Sequence, residues 1–146
     1  MLITRATEYA IRAVLFLAKQ PRGEVVFKKD ICRTQNITPA FLTKIFQPLI
    51  KVGIVGSQRG VGGGFYLLKN PEEVTLLEVI QAQEGPLYLN QCLIEEGACE
   101  RDVFCPVHGA WRQIRAELTN TLSRYTFAYL LREEEKILGQ LKPPCG

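Results

Sequence analysis

The stretch Gln35-Asn-Ile-Thr-Pro39 restricts the path of this chain more than any other. A threonine side chain can accept a hydrogen bond from a first-turn N–H, and proline has no N–H to lose at the first helical position. Thr38 and Pro39 therefore predict a helix that starts at Pro39. The residues just upstream, from about Lys28 to Gln35, also read as helical, so only a tight connection separates the two. The helix after the turn should end at Gly53, which suits a left-handed cap. Pro48 removes one backbone bond inside it, which predicts a kink or a weakened last turn.

The flanks complete a pattern. Thr4 can cap a first helix running to about Lys19, with Tyr9, Ala10, Ala13, Val14 and Leu17 on one apolar stripe. The short run "VVF" at residues 25–27 suits a single β-bridge. After Gly53, "GIVGS" and "FYLLK" are β-runs joined by "QRGVGGG", a hairpin with a glycine-rich tip. Helix, helix, tight turn, helix and hairpin make the layout of a winged helix-turn-helix domain. In such a domain the third helix enters the major groove of DNA and the hairpin touches its backbone or minor groove.

Beyond residue 75 the pattern changes. A short helix is expected from about Leu76 to Glu84, and residues 85–104 look irregular. A long helix follows from about Pro106 to Ser123, with Trp111, Ile114, Leu118 and Leu122 at helical spacing. A last helix, capped by Thr126, should end near Leu138. The expected fold class is mainly α with a small β-hairpin wing. Residues 1–75 would form the winged helix-turn-helix domain. Residues 76–146 would hold an irregular loop (about 85–107) and dimerisation helices. The long helix is too apolar to stand alone. It predicts a homodimer seam, since two-fold dimers read paired half-sites, and Trp111 is expected in the core.

Charge is uneven. Residues 1–60 carry ten Lys/Arg against three Asp/Glu, and residues 61–146 carry eight against twelve. A basic first half suits a polyanion such as double-stranded DNA, although a solvated basic face would look the same. The longest apolar tract, Ala13 to Ala18, is too short to cross a bilayer, and the N-terminus shows no signal peptide. A cytoplasmic protein with reduced thiols and no membrane partner is expected.

The tip Arg59-Gly-Val-Gly-Gly-Gly64 is not followed by a Lys-Ser pair or a helix, so a nucleotide-phosphate cradle is not expected. It reads as a wing whose glycines Gly60, Gly62 and Gly63 permit close approach to DNA, with Arg59 placed for the minor groove.

Cys92, Cys99, Cys105 and His108 are spaced Cys-x6-Cys-x5-Cys-x2-His, and His108 is the one histidine in the chain. Thiolates select iron–sulfur clusters, zinc or copper(I). Structural zinc sites usually pair ligands two to four residues apart, so these wider gaps suit a bulkier inorganic core. Cys105 should open the long helix, where a thiolate is favoured. A thiol enzyme is not expected: there is no Cys-x-x-Cys pair, no general base besides His108 and no nucleotide fingerprint.

Several motifs together resemble the Rrf-two family of bacterial winged-helix regulators, over nearly the whole chain. They are Thr4-x-x-x-x-Tyr9-Ala10, the spaced apolar set from Asp30 to Gly53, Arg59-Gly-x-Gly-Gly-Gly-Phe65, Glu78-Val-Ile80, and the cysteine loop before His108-x-x-Trp111. The resemblance implies a homodimeric, non-enzymatic DNA-binding regulator, repressor or activator. Its Cys92, Cys99 and Cys105 would hold a 2Fe–2S or 4Fe–4S cluster. His108 would be the fourth ligand, with Glu8 of the partner subunit as the alternative, and zinc would be the alternative cofactor. The DNA-facing residues implied are Lys28, Thr38, Pro39, Ala40, Thr43 and Lys44, together with the wing. Ala40, Thr43 and Lys44 stand where one branch of the family places serine, glutamate and glutamine. The docking mode is expected to carry over and the DNA sequence read is not. Cys32 is expected to be buried, and Cys145 is given no role.

Overall fold

A computed structural model describes residues 3–141; Cys145 lies outside the described residues. Helix α1 spans Arg5–Ala18, α2 Lys28–Gln35 and α3 Pro39–Lys51. Strands β1 (Val55–Gln58) and β2 (Gly64–Leu67) form the hairpin. Helix α4 covers Leu76–Glu84, a 3-10 turn Gln91–Leu93, α5 Pro106–Arg124 and α6 Phe127–Leu141. The fold is mainly helical with a two-stranded antiparallel sheet, as the sequence implies.

Local chemistry sets the boundaries. Thr4 caps α1 by accepting from Thr7 N–H, and Thr38 caps α3 by accepting from Phe41 N–H at 3.2 Å. Helix α2 ends at Asn36, whose φ of +54° is the left-handed conformation that asparagine tolerates. The Ile37 N–H then returns to the Cys32 carbonyl at 3.0 Å, a Schellman closure. Gly53 ends α3 in the same way, with the Ile54 N–H on the Leu49 carbonyl at 2.9 Å. Helix α3 continues through Pro48 to Lys51, so the proline does not end it. Only the Lys44 carbonyl, on an exposed residue, loses its N–H partner.

The core is one cluster. Ala10, Ala13, Val14 and Leu17 of α1 meet Leu42, Ile45, Phe46 and Leu49 of α3, with Ile31, Ile54 and Val55 between them. Val79 of α4 and Phe127 of α6 belong to the same cluster. Cys32 is buried on its edge. The hairpin is tied on by Val26, whose N–H and carbonyl both bond Phe65 at 2.8 and 2.9 Å. This is the single bridge expected of "VVF". It passes so close to Gly64 that a Cβ there would lie 2.0 Å from the Val26 carbonyl oxygen.

The second half is built differently. Thr75 and Thr126 form an isolated bridge, and the Phe127 N–H bonds the Val74 carbonyl at 2.9 Å, so the chain returns to the core after α5. Helix α5 itself buries no residue. Trp111, expected in the core, is 36% exposed, and Ile114 is 46% exposed. Leu118 and Leu122 of the same stripe are half-buried, so helical spacing alone does not say which part of a stripe packs within the chain. Helix α6 reaches Leu141 rather than stopping near Leu138, because Gly139 weakens a helix without breaking it.

Candidate metal centre and nucleic-acid interface

The loop after α4 folds back onto the start of α5. Cys92 sits in the 3-10 turn, and Cys105 is the N-cap residue of α5. His108 follows in the first turn of α5. Cys92, Cys99 and Cys105 are free thiols, each half-buried. A cavity of about 690 Å³ opens between loop and helix, lined among others by Cys92, Cys99, Asp102, His108 and Arg112. One potential ligand atom each from Cys92, Asp102 and His108 lies within 4.8 Å of the others. The folded loop thus brings together two of the four predicted ligands, Cys92 and His108. Cys99 lines the same cavity outside that group, and Cys105 is not part of its lining.

Asp102 is the member that sequence reasoning missed as a ligand. Its position six residues before His108 gives no local signal, because the loop must fold before the two meet. Asp102 Oδ1 lies 3.3 Å from His108 Nδ1, but the pair is not aligned as a hydrogen bond. Both Asp102 carboxylate oxygens and His108 Nδ1 are buried without a hydrogen-bond partner among the described residues. Arg112 Nη2 lies 3.0 Å from His108 Nε2. A guanidinium can only donate, so Nε2 accepts and the ring proton belongs on Nδ1. Buried polar atoms without partners, beside a thiol in an open cavity, fit a metal or cluster. Glu95, Glu96 and Glu100 are exposed on the same loop. Glu8 is exposed on α1.

Two hydrogen-bond systems link this region to the rest. Glu84, the last residue of α4, takes bonds from Thr4 N–H at 3.0 Å, from Thr4 Oγ1 at 2.6 Å and from Thr7 Oγ1. The Thr4 hydroxyl first, then that of Thr7, holds the Glu84 carboxyl below its usual range. Its neighbour Gln83 donates to the Ile45 carbonyl of α3 at 2.7 Å. The helix that leads into the cysteine loop is therefore pinned to both α1 and α3.

Thr38, Pro39, Ala40 and Lys44 are exposed at the cap and along the first turns of α3. Thr43 is half-buried and already engaged: Lys28 Nζ donates to its hydroxyl at 2.7 Å, and the hydroxyl donates to the Pro39 carbonyl at 3.0 Å. Lys28 and Thr43 therefore brace each other. Arg59 is exposed at the wing and Val61 fully so. Gly60 and Gly62 take φ of +92° and +80°, and a Cβ on Gly63 would lie 2.3 Å from the Gln58 carbonyl oxygen. The hairpin turn itself demands these glycines. Beside α3, Tyr9 packs edge-on against Phe41 and lies under the guanidinium groups of Arg5 and Arg12. Among the described residues, no helix is long and apolar enough to cross a membrane.

Residues 3–133 match the family model named Rrf2, an iron-dependent transcriptional regulator. The regulator NsrR of Halalkalibacterium halodurans is 31% identical over 97% of this chain and 98% of its own length. The regulator IscR of Photorhabdus laumondii is 33% identical over 92% of this chain and 82% of its own. Among solved structures, T. potens IscR superposes with a TM-score of 0.74 at 22% identity, covering 98% of this chain and 93% of that one. CymR (YrzC), the global cysteine regulator of B. subtilis, superposes with a TM-score of 0.72 at 26% identity, over 91% of this chain and 98% of its own. The match spans both the helix-turn-helix and the cysteine loop, and these relatives are named as transcriptional regulators rather than enzymes. This chain belongs to the Rrf2 family of winged-helix, DNA-binding transcriptional regulators.

Proposed function

We propose that the protein is a cytoplasmic homodimer that binds operator DNA and reports the state of an iron–sulfur cluster. Cys92, Cys99, Cys105 and His108 are the proposed ligands, with the partner subunit's Glu8 as the alternative fourth. The observation that carries this reading is the convergence of Cys92 and His108 on one open cavity, with Cys99 in its wall. Bound there, an iron–sulfur cluster would supply a redox- and iron-sensitive bond between loop and α5.

The chain's own residues would turn that bond into a change in DNA affinity. The loop begins at Gly85, directly after Glu84 and Gln83. A reordered loop pulls on those two side chains, and through them on the start of α1 and on the Ile45 carbonyl of the recognition helix. The effect on DNA equals the difference in loop free energy between its two states. DNA contact itself falls to Thr38, Pro39, Ala40 and Lys44 on α3, to Lys28 bracing Thr43, and to Arg59, Gly60, Gly62 and Gly63 of the wing. The exposed apolar stripe with Trp111 and Ile114 is the proposed dimer seam.

The test is the absorption spectrum, with iron, sulfide and zinc content, of protein purified without oxygen. Visible charge-transfer bands with matching iron and sulfide are expected, and Cys99→Ala should abolish them. A colourless protein that fails reconstitution overturns the reading. The likeness to CymR supports a second one, a regulator switched by its thiols alone. Reversible disulfide formation at unchanged metal content would be its signature.

A further inference from the structure

The loop contains a grouping narrower than the cysteine set. We propose that Cys92, Asp102 and His108 form a site for a single divalent transition-metal ion, filled when no cluster is present. The proposal rests on the reading that this loop binds metal, but it needs a carboxylate and dispenses with Cys99 and Cys105.

Geometry comes first. The three ligand atoms already lie within 4.8 Å of one another, close enough for one ion to touch all three after a small adjustment. The Asp102 and His108 side chains are only 14% and 12% exposed. A buried carboxylate with both oxygens unpaired is costly, and a cation is the partner that relieves it. The Arg112 guanidinium, which lines the same cavity, meets His108 Nε2 instead.

Donor chemistry narrows the ion. One thiolate, one imidazole and one carboxylate form a borderline set that suits zinc, cobalt(II) or iron(II) over calcium or magnesium, which take oxygen ligands. Three protein ligands leave a fourth position for water, and the open cavity provides the way in.

The protons balance. The Cys92 thiol loses one proton to solvent on ligation. Coordination by His108 Nδ1 moves the ring proton to Nε2, so the Arg112 bond must break and the guanidinium swings away. Loading the ion therefore releases one proton and frees Arg112.

Cobalt(II) is the probe, because its visible bands report coordination number and its near-ultraviolet bands report thiolate. Cluster-free, full-length protein in reductant should bind one equivalent, with bands of a four-coordinate ion and release of one proton. Asp102→Asn, Cys92→Ser and His108→Ala should each weaken binding by about tenfold or more. Cys99→Ala and Cys105→Ala should leave it unchanged. Unaltered affinity in Asp102→Asn, or loss in Cys99→Ala, overturns the proposal. If Asp102→Asn loses its helical circular dichroism, the Cys92 and His108 variants decide the matter alone. Iron and sulfide uptake separates the two readings. Normal reconstitution with no cobalt site removes only this inference, and cobalt binding without reconstitution removes only the cluster.

Discussion

Glu84 shows how much one side chain can hold in this fold. It closes the N-cap of α1 from a residue 80 positions away. The Thr4 and Thr7 bonds depress its carboxyl below the ordinary value of 4.5. A depressed carboxyl stabilises the fold above the unfolded value and loses that contribution as pH falls through the lower folded one. Glu84 is solvent-exposed, so the effect is a modest one. Melting curves should place Glu84→Ala below the wild type at pH 7, with the gap closing as the solution is acidified beneath 4.5. An equal gap at all pH values would show that the charge is irrelevant. None of this was legible in the sequence, where Thr4 read only as a cap and Glu84 as a helix end. Gly60, Gly62 and Gly63 were legible as a turn, but the reason for Gly64 was not. Gly64 makes room for the Val26 carbonyl, a neighbour that spacing along the chain does not announce.

At the scale of elements, helices with local punctuation were readable almost to the residue. Thr38-Pro39 and Gly53 act within one turn of themselves, so no tertiary knowledge is needed to place α3, whereas the left-handed Asn36 that ends α2 was not read as a cap. The hairpin was equally legible, and its exposed Arg59 carries a prediction. Arg59→Ala should weaken operator binding in an anisotropy titration. If the arginine neutralises one phosphate, the slope of log affinity against log salt should fall by about 0.9. Unchanged affinity would remove the wing from the interface. The cysteine loop was less readable. Its three cysteines and histidine were evident as a set, but that Asp102 rather than Cys99 meets Cys92 and His108 follows from how the loop closes.

For the whole molecule, α5 is the element that a single chain leaves unfinished. None of its residues is fully buried, and Trp111 and Ile114 of its apolar stripe are exposed. The sequence placed Trp111 in a core because periodicity is the same whether the covering surface is intramolecular or a second copy. Ile114→Glu would put a charge into such a seam. Light scattering should then report monomers where the wild type gives dimers, with the helical circular dichroism unchanged. A wild type that is already monomeric would send the stripe to another partner.

The neck at Thr75 and Thr126 bears on how such a protein can change over time. The chain passes there from the helix-turn-helix and wing, the head of the molecule, into α4, and it returns to the core at Phe127, whose ring is fully buried. Helix α4 still packs into the core through Val79, and the excursion proper is residues 85–125, about forty residues from the end of α4 to the Thr75–Thr126 bridge. Lengthening so long an excursion by one residue adds well under about 0.1 kcal/mol of closure entropy. Insertions and deletions between the cysteines are thus nearly free for the head. The cysteine loop can change length, one residue at a time, without renegotiating the exposed face of α3.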